Sequence, residues 1–183
     1  MAAAKFFANL PNLITLARLL MAPLTVMMIL SQRFTEAFAI FLIAGVSDGV
    51  DGFLAKRYNL TSELGAYLDP LADKALLISI YVTLAAISEL TPALPILVAT
   101  RDVMIVAAIL LSLLLGNPMA IRPVFISKVN TALQIAFAAL LLGSRAFGYH
   151  EMTLQVIMGW LVAASTVASG AVYVAQWLDH MSL

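Results

Sequence analysis

The chain has 183 residues, of which 63% are hydrophobic and 11% are charged, and its formal net charge is zero. A water-soluble domain usually carries about 25% charged and 45–50% apolar residues, so this composition excludes disorder and an ordinary soluble fold. Ten basic residues balance ten acidic ones, which leaves no global positive field for binding nucleic acid. The chain has no cysteine, which excludes disulfides, thiol catalysis and cysteine-ligated metals.

The hydrophobic residues fall in long runs that predict membrane-spanning helices. A span needs about 20 apolar residues and must satisfy its backbone hydrogen bonds internally. The predicted helices cover residues 11–31, 35–57, 62–88, 93–115, 124–146 and 152–178. Residues 1–10 are expected to lie in the membrane interface as a short lead-in. The whole of residues 1–183 is therefore expected to be one all-α integral membrane domain with six transmembrane helices.

The basic residues near the helix ends indicate the orientation, because cytoplasmic loops carry an excess of Lys and Arg. With the N-terminus inside, five lie on the cytoplasmic side and two outside. The five are Lys5, Lys56, Arg57, Arg122 and Lys128, and the two are Arg33 and Arg145. Both termini are therefore expected in the cytoplasm. No Arg- and Ser-rich transit segment precedes the first span, so a bacterial plasma membrane is the expected location.

Four aspartates lie inside the predicted second and third spans. Asp48 and Asp51 are three residues apart, and Asp69 and Asp73 are four residues apart. Each spacing puts both carboxylates on one helix face, and the short link makes the two helices antiparallel neighbours. Four unpaired charges would cost on the order of 10 kcal/mol in a bilayer. The two pairs are therefore expected to face each other near the cytoplasmic end and to be neutralised there.

Three ways of neutralising these acids remain open: protonation, a cationic side chain such as Lys74 or Arg101, and a bound cation. A divalent metal is favoured, because oxygen ligands without nearby His or Cys suit Mg²⁺ or Mn²⁺. Glycines and alanines beside the aspartates would let the helices approach closely. They would also let a flat group lie against the backbone.

The stretch Asp48-x-x-Asp51-Gly52-x-x-Ala55-Lys56-x8-Gly65-x3-Asp69-x3-Asp73 resembles the signature of the CDP-alcohol phosphatidyltransferases. Lys56 stands where the family usually has arginine, which keeps the charge and loses the bidentate fork. Further segments resemble the CMP-forming cardiolipin synthases of this family. They are Asn12-x-x-Thr15-x-x-Arg18, Arg101-Asp102-Val103-Met104 and residues 125–131. The resemblance covers roughly residues 10–175.

This resemblance implies a six-helix homodimer with a metal site open to the cytoplasmic leaflet. It implies transfer of a phosphatidyl group from CDP-diacylglycerol to phosphatidylglycerol, giving cardiolipin and CMP. Two divalent ions, Mg²⁺ or Mn²⁺, would be held by Asp48, Asp51, Asp69 and Asp73. Asp73 would also be the general base. The CDP pocket would be lined by Gly52, Ala55, Lys56 and Gly65.

Four basic residues are candidates for holding the phosphate of the acceptor, since Arg and Lys suit that task. They are Arg18, Arg101, Arg122 and Lys128. The plainer interpretation is that Arg101 pairs with Asp102 inside the membrane. In that interpretation, Arg122 and Lys128 only anchor the cytoplasmic surface.

Other functions remain open. The nearest is a phosphatidylglycerophosphate synthase, whose acceptor, glycerol 3-phosphate, is a small dianion that would favour a denser cationic pocket. A small ion transporter also has buried acids, but the inverted repeats and broken helices typical of transporters are not evident. An inactive member that acts as a scaffold is disfavoured by the presence of all four aspartates.

Overall fold

The computed structural model describes residues 2–58, 63–116, 124–149 and 151–181, with side chains described for 14–49, 72–116, 124–149 and 151–181. It contains six α-helices. They are α1 (Ala2–Leu30), α2 (Phe34–Tyr58), α3 (Glu63–Ala86), α4 (Ala93–Leu114), α5 (Phe125–Phe147) and α6 (Met152–Met181). No strand occurs in these ranges. The all-helical class and the six helices predicted from the apolar runs are confirmed, and most boundaries agree within three residues.

The first helix is the exception, because it begins at Ala2 rather than near Pro11. A proline removes one helical hydrogen bond, but α1 continues through Pro11 and Pro23. The backbone of the expected lead-in is thus part of α1. The position of this segment in the membrane interface stays a prediction.

Several helices end at a residue with left-handed backbone geometry. Gly148 follows α5 with φ 73°, and its N–H donates to the Ser144 carbonyl. The Tyr149 N–H also donates to the Ser144 carbonyl, at 2.9 Å. Glycine adopts this geometry without a Cβ penalty and is the usual residue after a helix. The turn before α6 is therefore encoded at Gly148.

The helices form two groups of three. α1 packs against both α2 and α3, and α6 packs against both α4 and α5. The groups are joined where α2 and α3 meet α5 and where α3 meets α4. Within the described residues, the backbones of α4 and α5 do not approach each other closely. The first three helices can therefore build one site while the last three build another.

The core draws buried side chains from all six helices, and one part of it lies where α3 meets α5. Ile80, Tyr81 and Leu142 are fully buried. The Tyr81 hydroxyl donates to the Gln134 carbonyl at 2.7 Å, and its ring lies 6.1 Å from that of Phe137 between centroids. This contact locks the two groups together through one aromatic pair and one buried hydrogen bond.

Three helices, α4, α5 and α6, are long and apolar enough to cross a membrane, among the residues described. The apolar part of α1, Ile14–Leu30, is shorter. Many large apolar side chains point outward, including Leu114, which is 83% exposed, and Phe125, which is 78% exposed. A surface of this kind supports an integral membrane protein. The prediction that all six helices cross the bilayer remains untested.

A cavity of about 480 Å³ lies among α4, α5, α6 and the link before α4. Its apolar lining includes Leu94, Leu97 and Trp160, and Phe137 forms part of its wall. Phe137 is 2% exposed. Truncating this ring would enlarge the cavity and remove the contacts that the ring makes there.

We expect Phe137→Ala to destabilise the protein by about 3 kcal/mol, since buried Phe→Ala changes cost about 3–5 kcal/mol. The matched control is Phe125→Ala, because Phe125 is 78% exposed; the change there should stay within about 0.5 kcal/mol. Thermal unfolding in detergent measures both. Equal melting temperatures for the two variants would contradict the packing described at Phe137.

Candidate functional site

Two of the four predicted aspartates meet at one buried arginine. Asp48 on α2 and Asp73 on α3 each place Oδ1 next to Nη1 of Arg18 on α1, at 2.8 and 2.9 Å. The Arg18 side chain is 1% exposed, whereas the side chains of Asp48 and Asp73 are 47% and 43% exposed. The two carboxylates therefore converge on the positive charge of Arg18, which lies on the buried side, while their other side is open to the surroundings.

The helix arrangement explains this convergence. α1 lies against both α2 and α3, so a side chain on its inner face reaches both neighbours. Thr15 precedes Arg18 by three residues and is 2% exposed, which identifies the same face of α1. A charged side chain is almost never this buried unless it is paired. The two aspartates supply the required pairing.

The other predicted members of this site lie outside the residues whose side chains are described. They are Asp51, Asp69, Gly52, Ala55, Lys56, Gly65 and Arg122. The helical backbone of α2 and α3 does run through positions 51 and 69. Within the described side chains, no group of three His, Cys, Asp or Glu residues forms a metal cluster. The four-aspartate set therefore stays a prediction.

The two described aspartates suit a hard divalent cation. Each contributes carboxylate oxygens, and their Oδ1 atoms already share a positively charged neighbour. Mg²⁺ and Mn²⁺ prefer oxygen ligands of this type. Their partial exposure also leaves a route for an ion and a soluble headgroup. The donor chemistry thus fits the metal that the sequence pattern predicts.

The counterion of Asp48 and Asp73 is Arg18, whereas the sequence suggested Lys74 or Arg101. Lys74 Nζ lies 3.2 Å from Asp102 Oδ1, and Arg101 Nη1 lies 2.7 Å from the same atom. Successive residues in a helix point about 100° apart. Lys74 therefore faces α4, although Asp73, its neighbour in the chain, pairs with a residue of α1.

Arg101 is the centre of a second polar cluster that joins α4, α5 and α6. Its Nη2 donates to Oγ of Ser127 and to Oγ of Ser169, both at 2.6 Å. Its guanidinium carbon lies 5.3 Å from the centre of the Tyr173 ring, within cation–π range. Together with Asp102, these contacts occupy both terminal nitrogens. The plainer interpretation of Arg101 as a compensated charge inside the membrane accounts for them.

Asn130 lies one helical turn beyond Ser127 and is 1% exposed. Its Oδ1 accepts hydrogen bonds from Ser165 at 2.8 Å and Thr166 at 2.9 Å. Asn130 Nδ2 and Arg101 Nε are buried and have no hydrogen-bond partner among the described residues. This polar layer was not predicted from the sequence. The signal was present, since the residue types Ser, Thr and Ser interrupt an apolar helix at positions 165, 166 and 169.

Lys128 has an exposed side chain on α5. It follows Ser127, which bonds Arg101. Among the described residues, no ion pair is formed by Lys128. Its charge thus has no ion-pair partner in the described part of the chain, unlike the charges of Arg18 and Arg101.

The sequence matches the family model for CDP-alcohol phosphatidyltransferase over residues 8–168. It is 34% identical to the chloroplastic CDP-diacylglycerol–glycerol-3-phosphate 3-phosphatidyltransferase 1 of Oryza sativa subsp. japonica, over 91% of this chain and 56% of that protein. It is 35% identical to the CMP-forming cardiolipin synthase of Rattus norvegicus, over 89% of this chain and 59% of that protein.

A third relative is the CDP-diacylglycerol–glycerol-3-phosphate 3-phosphatidyltransferase of Bacillus subtilis, at 30% identity over 92% of this chain and 94% of that protein. The chain thus spans less than two thirds of the rice and rat relatives and nearly all of the Bacillus one. The family match covers most of the chain and includes both aspartates that meet at Arg18. The chain therefore belongs to the CDP-alcohol phosphatidyltransferases, a family of phosphotransferases.

Proposed function

We propose that this protein transfers a phosphatidyl group from CDP-diacylglycerol to phosphatidylglycerol, which gives cardiolipin and CMP. The observation that carries the proposal is the meeting of Asp48 and Asp73 at one half-exposed point. In a chain of this family, that point is suited to a reaction between a nucleotide-linked lipid and a hydroxyl group. The relative named a cardiolipin synthase supports the choice of acceptor.

The proposed metal ligands are Asp48, Asp51, Asp69 and Asp73, holding two Mg²⁺ or Mn²⁺ ions. Bound divalent ions would neutralise the diphosphate and the charge that develops on the departing CMP. The oxygen donors at Asp48 and Asp73 support this assignment. The CDP group would lie against Gly52, Ala55, Lys56 and Gly65, where small residues leave room beside the backbone.

Asp73 is proposed to take the proton from the acceptor hydroxyl. The hydroxyl oxygen forms a bond to the phosphorus of the phosphatidyl group, the bond from that phosphorus to the CMP oxygen breaks, and the proton moves to the carboxylate. A positioned base of this kind contributes about 10²–10⁴-fold to a rate. The Asp73 side chain is 43% exposed, so a lipid hydroxyl can reach it from outside.

Lys128 is the best-supported residue for holding the phosphate of the acceptor. Phosphatidylglycerol carries one negative charge in its headgroup, and Lys128 offers one exposed positive charge. Arg101 has both terminal nitrogens engaged, so its proposed contribution is to fix Ser127 beside Lys128. Arg122 stays a prediction. Arg18 is not proposed for this role, because its Nη1 is paired with Asp48 and Asp73.

A second candidate acceptor is glycerol 3-phosphate. The Bacillus relative, which is named for that acceptor, is matched over nearly its whole length. Both reactions use the same donor and release the same CMP. The difference between them rests on the few side chains that hold the acceptor phosphate.

Purified protein given CDP-diacylglycerol and Mg²⁺ or Mn²⁺ should form cardiolipin with phosphatidylglycerol, measured by CMP release and lipid chromatography. Each acceptor is supplied alone. Turnover with glycerol 3-phosphate and none with phosphatidylglycerol would establish the second candidate instead. Ion flux without CMP release would indicate a transporter.

Asp73→Asn should lower the transfer rate about 100-fold or more while the protein stays folded, because the amide cannot accept the proton. Glu36→Gln is the control, since Glu36 is an exposed acid that pairs with Arg33 far from the site. CMP release and thermal unfolding are measured on both. Retention of more than about a tenth of the rate by Asp73→Asn would remove it as the base.

Six membrane crossings with both termini in the cytoplasm are part of the proposal, as is a bacterial plasma membrane. The site then opens to the cytoplasmic leaflet, because Asp48 lies toward the end of α2 and Asp73 in the first half of α3. The excess of basic residues at that end of the helices supports this orientation. The homodimer implied by the family resemblance is likewise proposed.

The absence of natural cysteines allows a direct topology test. A membrane-impermeant maleimide should label Ser31→Cys and Tyr149→Cys in intact cells, and Phe125→Cys only after permeabilisation. All three positions are exposed, so accessibility to the reagent depends on the side of the membrane. Labelling of Phe125→Cys in intact cells would contradict six crossings in this orientation.

A further inference from the structure

Arg18 has the largest fully buried side chain among the described residues. Its location beneath the aspartates differs from the phosphate-binding role that the sequence suggested. Arg18 lies on the buried side of the two aspartates. Its Nη1 would therefore have to leave both carboxylates before it could bind an external phosphate. The contacts call for a different role.

We propose that Arg18 is a resident cation of the acid cluster. In the absence of metal it neutralises Asp48 and Asp73 and holds α1 against α2 and α3. When a divalent ion is present, the ion and Arg18 act on the same two carboxylates, so the loss of Arg18 makes the fold more dependent on metal. This last part rests on the metal site proposed above.

Arg18 is buried and the two aspartates are half-exposed, so the carboxylates can be approached by cations from two directions. The Arg18 side chain is 1% exposed and reaches Oδ1 of each aspartate from the protein interior. The aspartate side chains remain 47% and 43% exposed. A carboxylate has two oxygens and about four acceptor positions. An ion can therefore approach from the open side while the guanidinium stays in place.

The positive charge of Arg18 is expected to weaken the binding of a divalent ion to the same two carboxylates. A positive neighbour weakens the attraction that a carboxylate exerts on another cation. Removing Arg18 would leave Asp48 and Asp73 repelling each other next to apolar helices. A divalent ion would then relieve both the repulsion and the missing charge, and its binding would stabilise the variant more than the wild type.

The test compares Arg18→Met, Arg18→Lys and the control Arg33→Met, without substrate. Arg33 is a matched control because it is exposed and pairs with Glu36 on the surface. Thermal unfolding in detergent is measured with EDTA and with excess Mn²⁺, and Mn²⁺ affinity is measured by electron paramagnetic resonance.

With EDTA, Arg18→Met should unfold at a lower temperature than the wild type, and Arg18→Lys should lie between them because it keeps the charge. Mn²⁺ should raise the unfolding temperature of Arg18→Met by more than that of the wild type. The Mn²⁺ dissociation constant of Arg18→Met should be at least about threefold lower than that of the wild type, since a charge that repels the ion is gone. Arg33→Met should match the wild type throughout.

Equal unfolding temperatures of Arg18→Met and wild type in EDTA would overturn the neutralising role. Equal or smaller stabilisation by Mn²⁺ in Arg18→Met would overturn the sharing of carboxylates. If Arg18→Met does not fold, the triple variant Arg18→Met/Asp48→Asn/Asp73→Asn removes all three charges and should restore a folded protein. Failure of that variant to fold would also overturn the proposal.

The outcome is separate from the choice of acceptor, because no substrate is present. Transfer to glycerol 3-phosphate would leave the Arg18 result unchanged. Conversely, cardiolipin synthesis by the wild type together with unchanged unfolding of Arg18→Met would support the proposed function and overturn the inference.

Discussion

Arg18 carries a positive charge to a place that water barely reaches, and Asp48 and Asp73 bring the opposite charges from two other helices. An ion pair in such surroundings is favourable only if its geometry is good and each charge is paired. This requirement restricts how α1, α2 and α3 can rotate against one another. The same requirement keeps two carboxylates together at one point, where chemistry with a cation becomes possible.

The last three helices are held by polar contacts of another kind. In a bilayer, apolar side chains gain little by leaving lipid for protein, so packing and hydrogen bonds between helices matter more. Arg101 bonds to Ser127 on α5 and Ser169 on α6, and Asn130 bonds to α6 one turn away. Arg101 thereby links α4 to α5, although the backbones of these two helices do not approach each other closely within the described residues.

The lengths of the helices and the approach of two acids were predictable, because both depend on spacing along the chain. Apolar runs set most helix ends within a few residues. The predicted packing of α2 against α3 is not found within the described residues, where α1 packs against both and its Arg18 joins Asp48 to Asp73. The partner of these acids was not predictable. Whether Lys74 or Arg18 meets Asp73 depends on the rotation of α1 and α3 about their axes, which packing between distant segments determines.

The start of α1 and the cluster around Asn130 show the same limit. The apolar run suggested that the first helix begins near residue 11, yet α1 begins at Ala2 and runs through Pro11. The polar residues of α6 acquire a role only through their partners in the fold, which are Asn130 for Ser165 and Thr166 and Arg101 for Ser169. The identity of the acceptor is harder still to predict, since relatives of similar identity carry the names of two different enzymes.

Asp73 and Lys74 are consecutive residues that belong to different charge networks, one with α1 and the other with α4. One peptide bond joins them, and a helix turns as a rigid rod over so short a distance. A rotation of α3 that moved the Asp73 carboxylate relative to Arg18 would therefore also move the Lys74 ammonium group relative to Asp102. The helix group α1–α3 and the helix α4 of the other group are thus mechanically coupled through a single turn of α3.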